Sequence, residues 1–567
     1  MVQKICNTLH KPKGGFLVKK RFSFFLVLLL ALSTFLAACG GGKDNDNAQG
    51  GQGGEKPAEK KEQVLNLLDS SEIPSLDSAL ATDQVSFIVL NNVMEGLYRL
   101  GKDNKPVPGV AESHEVSEDG KTYTFKLRKD AKWSNGDPVT AHDFVFAWKR
   151  VLDPKTKAEY AYIMYDIKNA EEVNTGKLPV DQLGVKALDD YTLQVELKNP
   201  IPYFISLTVF GTFMPQNEKF VKAQGDKYGL EANTTLYNGP FVLSEWKHEQ
   251  GWTYEKNPNY WDKDTVKLEK INVKVVKDTA TAVNLYETKQ ADRVGLTAEF
   301  VDKYKNDKNF KTELDPALYW LRMNTKKEPL NNVNARKAIA MAIDTQAMVD
   351  TLLNNGSIPA KFTVPKDFVT GPDGKDFRDV NGDLVNYNPD EAKKLWEQAK
   401  KELGKDKFTL ELLNYDSDSA KKIGEYVKAQ LEQNLPGLTV NIKQQPFAQK
   451  LELESKMQYD LSFSGWGPDY QDPMTFLDLW TTTNPHNQTG WSNAEYDKLI
   501  KDAKTTLLGD LQARWDAMLK AEKIVFEEMP IAPLYQRGVA YLQREYVKDI
   551  VSHPFGGDYS YKWAYIE

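Results

Sequence analysis

The sequence predicts a mixed α/β body of several lobes, preceded by a leader and a polar tether. Three observations predict it. Short alternating segments interleave with amphipathic helical stretches, without a strict strand–helix order. The 567 residues amount to roughly two to four domains' worth of chain. Both cysteines, Cys6 and Cys39, fall at the N-terminal end, so the large core must form without disulfides or Cys-ligated metal.

The leader comes first. Lys19-Lys20-Arg21 precede an apolar run from Phe22 to Ala38. A basic stretch, an apolar stretch and then small residues is the pattern of a secretory signal. A spanning anchor needs about 20 apolar residues and usually closing charges, and here the run stops in Leu36-Ala37-Ala38-Cys39-Gly40. That string resembles the lipobox of bacterial lipoproteins. The resemblance implies a signal peptide over 1–38, and a lipid on Cys39 once cleavage makes it the first residue. Cys6 then lies in the removed part. Residues 39–63 are expected to be a flexible tether. After Cys39 they are rich in Gly, Asn, Gln, Lys and Glu, and too poor in apolar side chains to offset ordering entropy.

The body follows. Tyr123, Phe125 and Leu127 alternate with polar residues and predict a half-buried strand. Leu193, Val195 and Leu197 predict another, as do Leu438, Val440 and Ile442. Thr140 followed by Asp143 reads as a capping box opening a helix over Ala141 to Leu152. Helical periodicity also covers Ala335 to Leu353, Pro389 to Glu402, Ala420 to Asn434, Ala494 to Ala503 and Leu511 to Glu528, with Pro530 ending the last.

Charge excludes one class of partner. The chain carries 73 Lys and Arg against 80 Asp and Glu, a net charge of −7. The first 38 residues hold six basic residues and no acid, so their removal takes the charge from −7 to −13. An acidic body is not expected to bind nucleic acid. Catalytic motifs are also missing. The six histidines form no His-Glu-x-x-His pattern, and there is no Gly-x-Ser-x-Gly elbow. Gly371 to Lys375 is too short for a phosphate loop. Asp379 to Asp383 fails the calcium-loop spacing and reads as a surface turn. Neither a metal nor a cofactor is expected.

The informative residues are aromatic, with 12 Trp, 26 Tyr and 25 Phe. Ser464-Gly465-Trp466-Gly467-Pro468-Asp469-Tyr470 sets one acid among aromatic and small residues. An aromatic wall with a single carboxylate would hold an organic cation, and glycine lets a ligand backbone approach. The alternative is that Pro468-Asp469 is a turn and Trp466 is core.

Longer strings carry a resemblance. They include Pro108-Gly109-Val110-Ala111-Glu112, Arg128-Lys129-Asp130-Ala131-Lys132-Trp133-Ser134, Asn257-Pro258-Asn259-Tyr260-Trp261 and Gly465 to Tyr470. With these, nearly all of 64–567 resembles the oligopeptide-binding proteins of bacterial ABC importers, the family-5 solute receptors. The resemblance implies a periplasmic-binding-protein-like fold: two lobes, a hinge and an extra third domain. Domain I would comprise 64–95, 218–318 and 537–567, domain II 96–217, and domain III 319–536. It implies no enzyme activity. A monomer on the outer face of the cytoplasmic membrane would capture an oligopeptide and pass it to the importer's permease subunits.

In the family, the peptide's main chain is paired by protein backbone, which reads what every peptide shares. Asp469 aligns with the acid that meets the peptide α-amino group. Gly465 and Gly467 align with peptide-pairing backbone, Trp466 with a pocket wall, Tyr160 with a tyrosine near the first peptide residues, and Thr82-Asp83-Gln84 with the facing segment. Asp472 has no assigned role. Enteric members meet the peptide C-terminus with an arginine and a histidine where this chain has Phe463 and Ser419. Arg322 or Lys421 are alternative cations, although Arg322 also reads as a surface charge on a strand. Receptors of this fold also take dipeptides, nickel, haem, sugars or signalling peptides. A hydrolase is the reading from another class.

Overall fold

The computed structural model describes residues 61–201 and 203–567. The leader, Cys39 and nearly all of the tether lie outside the described residues. Lys61–Glu567 forms one compact unit with a two-lobed α/β fold built on three large sheets.

The first sheet has the strand order Val64–Asp69, Lys270–Val275, Gly251–Lys256, Phe241–Lys247. Its first pair is parallel, with Leu65 beside Ile271, and the others are antiparallel. The second sheet is wholly antiparallel, in the order Ala111–Val116, Thr122–Leu127, Thr192–Glu196, Val185–Asp189. Phe125 and Leu193 pair across its centre, both fully buried. The alternation read from the sequence therefore follows the pleat. The Ala141–Leu152 helix packs against this sheet. The Asp143 carboxylate accepts the Thr140 N–H at 2.8 Å, as the capping box requires.

The third sheet runs Arg293–Gly295, Ile531–Gln543, Phe310–Met323, Leu461–Trp466, Phe408–Tyr415, Leu438–Gln445, with Ile358–Pro359 added beside Ile531–Gln543. Its two long strands pair in two separate stretches. Phe310 to Leu314 pair with Leu542 to Gly538, and Leu318 to Arg322 pair with Gln536 to Ile531. Between these stretches the register slips, at Asp315-Pro316-Ala317. Proline has no N–H to give the ladder there, which weakens pairing between the two stretches.

Most helices match their sequence periodicity. They span Pro389–Leu403, Asp418–Asn434, Ala494–Lys504 and Leu511–Glu528. Two expectations fail. Ala335 to Leu353 is not a single helix: Val333–Met341 stops, and Asp344 caps a new turn by accepting the Ala347 N–H at 2.9 Å. Asp379 to Asp383 is likewise no plain turn. Phe377–Asn381 is a short helix ended by Gly382 at φ 65°, and Asn381 reaches Glu522. Glu522 is fully buried in a two-toothed pair with Arg378, at 2.6 and 2.7 Å.

Candidate functional site

Between the lobes lies a cavity of about 1410 Å³. That exceeds the roughly 300–1,000 Å³ of ordinary small-molecule sites. Thr82, Asp83, Gln84, Tyr160, Gly465, Trp466, Gly467 and Asp469 all line it. These residues are far apart in sequence, and the fold brings them to one place.

Each is positioned by a local reason. Asp83 caps the Gln84–Val93 helix, accepting the Ser86 N–H at 2.9 Å and the Ser86 hydroxyl at 2.7 Å. Its carboxylate is thus used locally, and burial raises its pKa to about 6. Gln84 is tied to Asp558, to which its amide donates at 2.6 Å, and to Arg537, which donates to it at 3.2 Å. Arg537 also meets Asp315 beside the register slip. Gly465 lies where a Cβ would stand 2.7 Å from the Tyr319 ring. Trp466 stacks on Tyr160 with ring centroids 5.9 Å apart.

Asp469 is the singular group. It is 4% exposed. Tyr160 donates to its Oδ1 at 3.2 Å, and Oδ2 is buried with no partner among the described residues. Burial raises its pKa well above the ordinary carboxylate value. Asp472, with no role expected, holds a two-toothed pair with Arg514 at 2.8 and 2.9 Å. It belongs to the scaffold.

The cavity's far wall differs from the sequence reading. Arg322 is no surface charge: it is 4% exposed, lines the cavity and donates to the Gln488 side chain. Lys421 is exposed and does not line the cavity, whereas Lys422 does. Phe463 forms an aromatic wall with Tyr319 and Tyr535, at 5.5 and 6.4 Å. Ser419 lies at the cavity edge.

Sequence reasoning missed Lys450, Glu454, His486 and Gln488. Lys450 and Glu454 pair at 2.8 Å, four apart on the Phe447–Ser455 helix, yet both are buried. Glu454 also accepts the Ser462 hydroxyl at 2.7 Å and that of Ser464. The alternating Ser462, Ser464 and Trp466 were the available signal. Burial lowers the Lys450 pKa to about 8.

The lobes touch around the cavity. Beyond Tyr160–Asp469, the Ser455 hydroxyl donates to Glu159 at 2.7 Å, Tyr203 stacks on Tyr470 at 6.0 Å, and Lys277 meets Asp416 at 2.7 Å. The cleft is therefore closed. Among the described residues no group of His, Cys, Asp and Glu is arranged to hold a metal, and no helix is long and apolar enough to cross a membrane.

Comparison with known proteins agrees with this architecture. The chain is 41% identical over 540 residues to the dipeptide-binding protein DppE of Bacillus subtilis (strain 168), covering 95% of this chain and 97% of that protein. Its structure is similar to the substrate-binding domain of an oligopeptide ABC transporter from Bacillus anthracis str. Ames, with TM-score 0.88 and 54% identity, covering 89% of this chain and 99% of that one. It is also similar to Listeria monocytogenes OppA bound to peptide, with TM-score 0.86 and 46% identity over 89% and 99% of the two chains. The family model described as bacterial extracellular solute-binding proteins, family 5 middle, matches residues 105–488. A two-lobed fold around a large cavity, and this match over most of the body, identify the chain as a member of that family of binding proteins, which are not enzymes.

Proposed function

We propose that this protein captures oligopeptides between its lobes and delivers them to the permease of an ABC importer. The observation that carries the reading is Asp469, whose Oδ2 is buried in the cavity wall without a partner. A peptide α-amino group, with a pKa near 7.7 to 8.0, is cationic at neutral pH and supplies the missing charge. At about 4 Å and an effective dielectric near 20, the pair is worth roughly 4 kcal/mol before desolvation. Gly465, Trp466 and Gly467 on one side, and Thr82 to Gln84 on the other, flank the peptide main chain, with Tyr160 beside its first residues. Relatives named for dipeptides, oligopeptides and peptide complexes support the ligand class.

The body divides in this reading into domain I (64–95, 218–318 and 537–567), domain II (96–217) and domain III (319–536), with the first sheet in domain I, the second in domain II, and the third running from domain III into domain I. The crossing strands serve as the hinge. The lipobox-like string supports cleavage before Cys39 and lipidation of its thiol, which would hold a monomeric body on the outer face of the cytoplasmic membrane by the 39–63 tether. Native mass spectrometry of protein purified without added ligand tests the ligand class. Co-purifying masses that fragment as peptides are expected. Sugars or a metal in their place would overturn the reading.

A further inference from the structure

Three buried nitrogens in the cavity wall have no partner among the described residues: Arg322 Nε, Trp466 Nε1 and His486 Nε2. Their side chains belong to residues that are 4%, 8% and 3% exposed, and all three residues line the cavity. They are contiguous. The Trp466 and His486 rings lie 4.8 Å apart. The Gln488 N–H donates to the His486 carbonyl at 2.8 Å, and the Gln488 side chain accepts from Arg322.

Charge adds a second, independent observation. Arg322 and Lys450 are two buried cations, and Glu454 is the acid that faces both. Glu454 is paired with Lys450 and further engaged by Ser462 and Ser464. Arg322 makes no ion pair among the described residues, only the bond to the neutral Gln488 amide. A buried guanidinium that shares its one facing acid with a second buried cation is under-compensated, because its charge has left water. Together with two aromatic N–H-type groups, it calls for an anion with several acceptor lone pairs. His486 is neutral, since burial lowers its pKa to about 3, and its ring can present Nε2 as a donor.

The patch adjoins Asp469. Tyr160 donates to Asp469 at 3.2 Å, and its ring lies 4.8 Å from that of His486. We propose that Arg322, Trp466, His486 and Gln488 form a subsite for a carboxylate of the ligand, placed close to the amino group that Asp469 holds. The proposal rests on the peptide reading above and deepens it: the protein prefers peptides that carry an anionic group near the amino terminus. An acidic side chain at the first or second position supplies such a group. So does the C-terminal carboxylate of a very short peptide.

Calorimetry on the ligand-stripped protein tests this with paired tetrapeptides: Glu-Ala-Ala-Ala against Gln-Ala-Ala-Ala, and Ala-Glu-Ala-Ala against Ala-Gln-Ala-Ala. Ala-Ala and its C-terminal amide form the third pair. In at least one pair the carboxylate member should bind about tenfold tighter, the size expected for hydrogen bonds to a charged group. The first two pairs report a side chain and the third a chain terminus. Arg322→Met should erase the preference. Gln488→Glu should do the same by giving the guanidinium a resident partner, and it keeps the test open if Arg322→Met does not fold. Equal affinity within every pair, with peptides still bound, would overturn the subsite and leave the peptide reading standing. No binding by any peptide would overturn both. A preference that survives in Gln488→Glu would also overturn the assignment.

Discussion

The Tyr160 hydroxyl reaches from one lobe to Asp469 on the other, donating to Oδ1 at 3.2 Å and leaving Oδ2 without a partner. One contact therefore both ties the lobes and orients the free oxygen. Asp469→Ala should weaken binding of free-amine peptides by about two to three decades, since an ion buried alone costs about 3–5 kcal/mol. N-acetylated peptides, lacking the ammonium, should bind the native protein poorly and lose far less on mutation. Calorimetry on the four combinations gives a coupling energy. A value near zero would make Asp469 a turn residue only. Asp472 is no neutral comparison, because it is paired with Arg514.

Asp469 also sets a pH dependence. Burial raises its pKa in the folded protein, and a bound ammonium favours the ionised form. Binding of a free-amine peptide should release a proton below that raised value, and affinity should climb as pH rises through it. Affinity should fall again above about 8, where the amine deprotonates. For the ligand-free protein, a raised pKa means that this group's stabilising contribution is fully present below the unfolded value and is lost as pH rises through the folded one. Calorimetry in buffers of different ionisation enthalpy, with Asp469→Asn as the flat comparison, checks both. Proton uptake well below about pH 8, where the amine is already charged, would contradict the assignment.

Closure should be visible in solution. A ligand that touches both lobes lowers the radius of gyration and raises the melting temperature in proportion to ln(1 + [L]/Kd). Small-angle scattering with and without a peptide mixture measures the first. No compaction with any peptide pool would count against capture between the lobes.

A stability prediction lies away from the cavity. Glu522 is buried, paired with Arg378, and accepts the Thr363 and Val364 N–H groups at 2.9 and 3.0 Å. Glu522→Gln should destabilise by about 3–5 kcal/mol, because it strands the Arg378 charge. Urea denaturation reads the loss. Peptide affinity at a temperature where the variant is folded should stay unchanged.

The lipid prediction concerns Cys39. Cys39→Ala should release the body from membrane fractions or leave the leader attached, as cell fractionation and the mass of the product would show. A variant processed and membrane-bound as before would refute the anchor.

Much of this was legible in the sequence, and the exceptions share a cause. The Leu511–Glu528 helix is readable because its apolar face is regular and Pro530 follows closely. The break near Asp344 is not, since the periodicity continues while Asp344 caps the next turn. Asp469 stands out as an acid among Gly, Pro and aromatics. Arg322 looks like any polar residue in an alternating strand. Its hydrogen-bond partner is Gln488, 166 residues away, and no local pattern contains that. Lys450 and Glu454 mislead in the same way, because an acid and a base four apart on a helix usually face water.

Several cross-cleft contacts lie around the cavity: Tyr203 on Tyr470, Lys277 with Asp416, Ser455 with Glu159. These contacts narrow the way out of the cavity. Dwell time is then governed partly by side chains that hold the rims together, and different cargoes share that component of the escape barrier. A docking partner that pried the rims apart would shorten the dwell of every cargo by a common factor, with no need to recognise any of them.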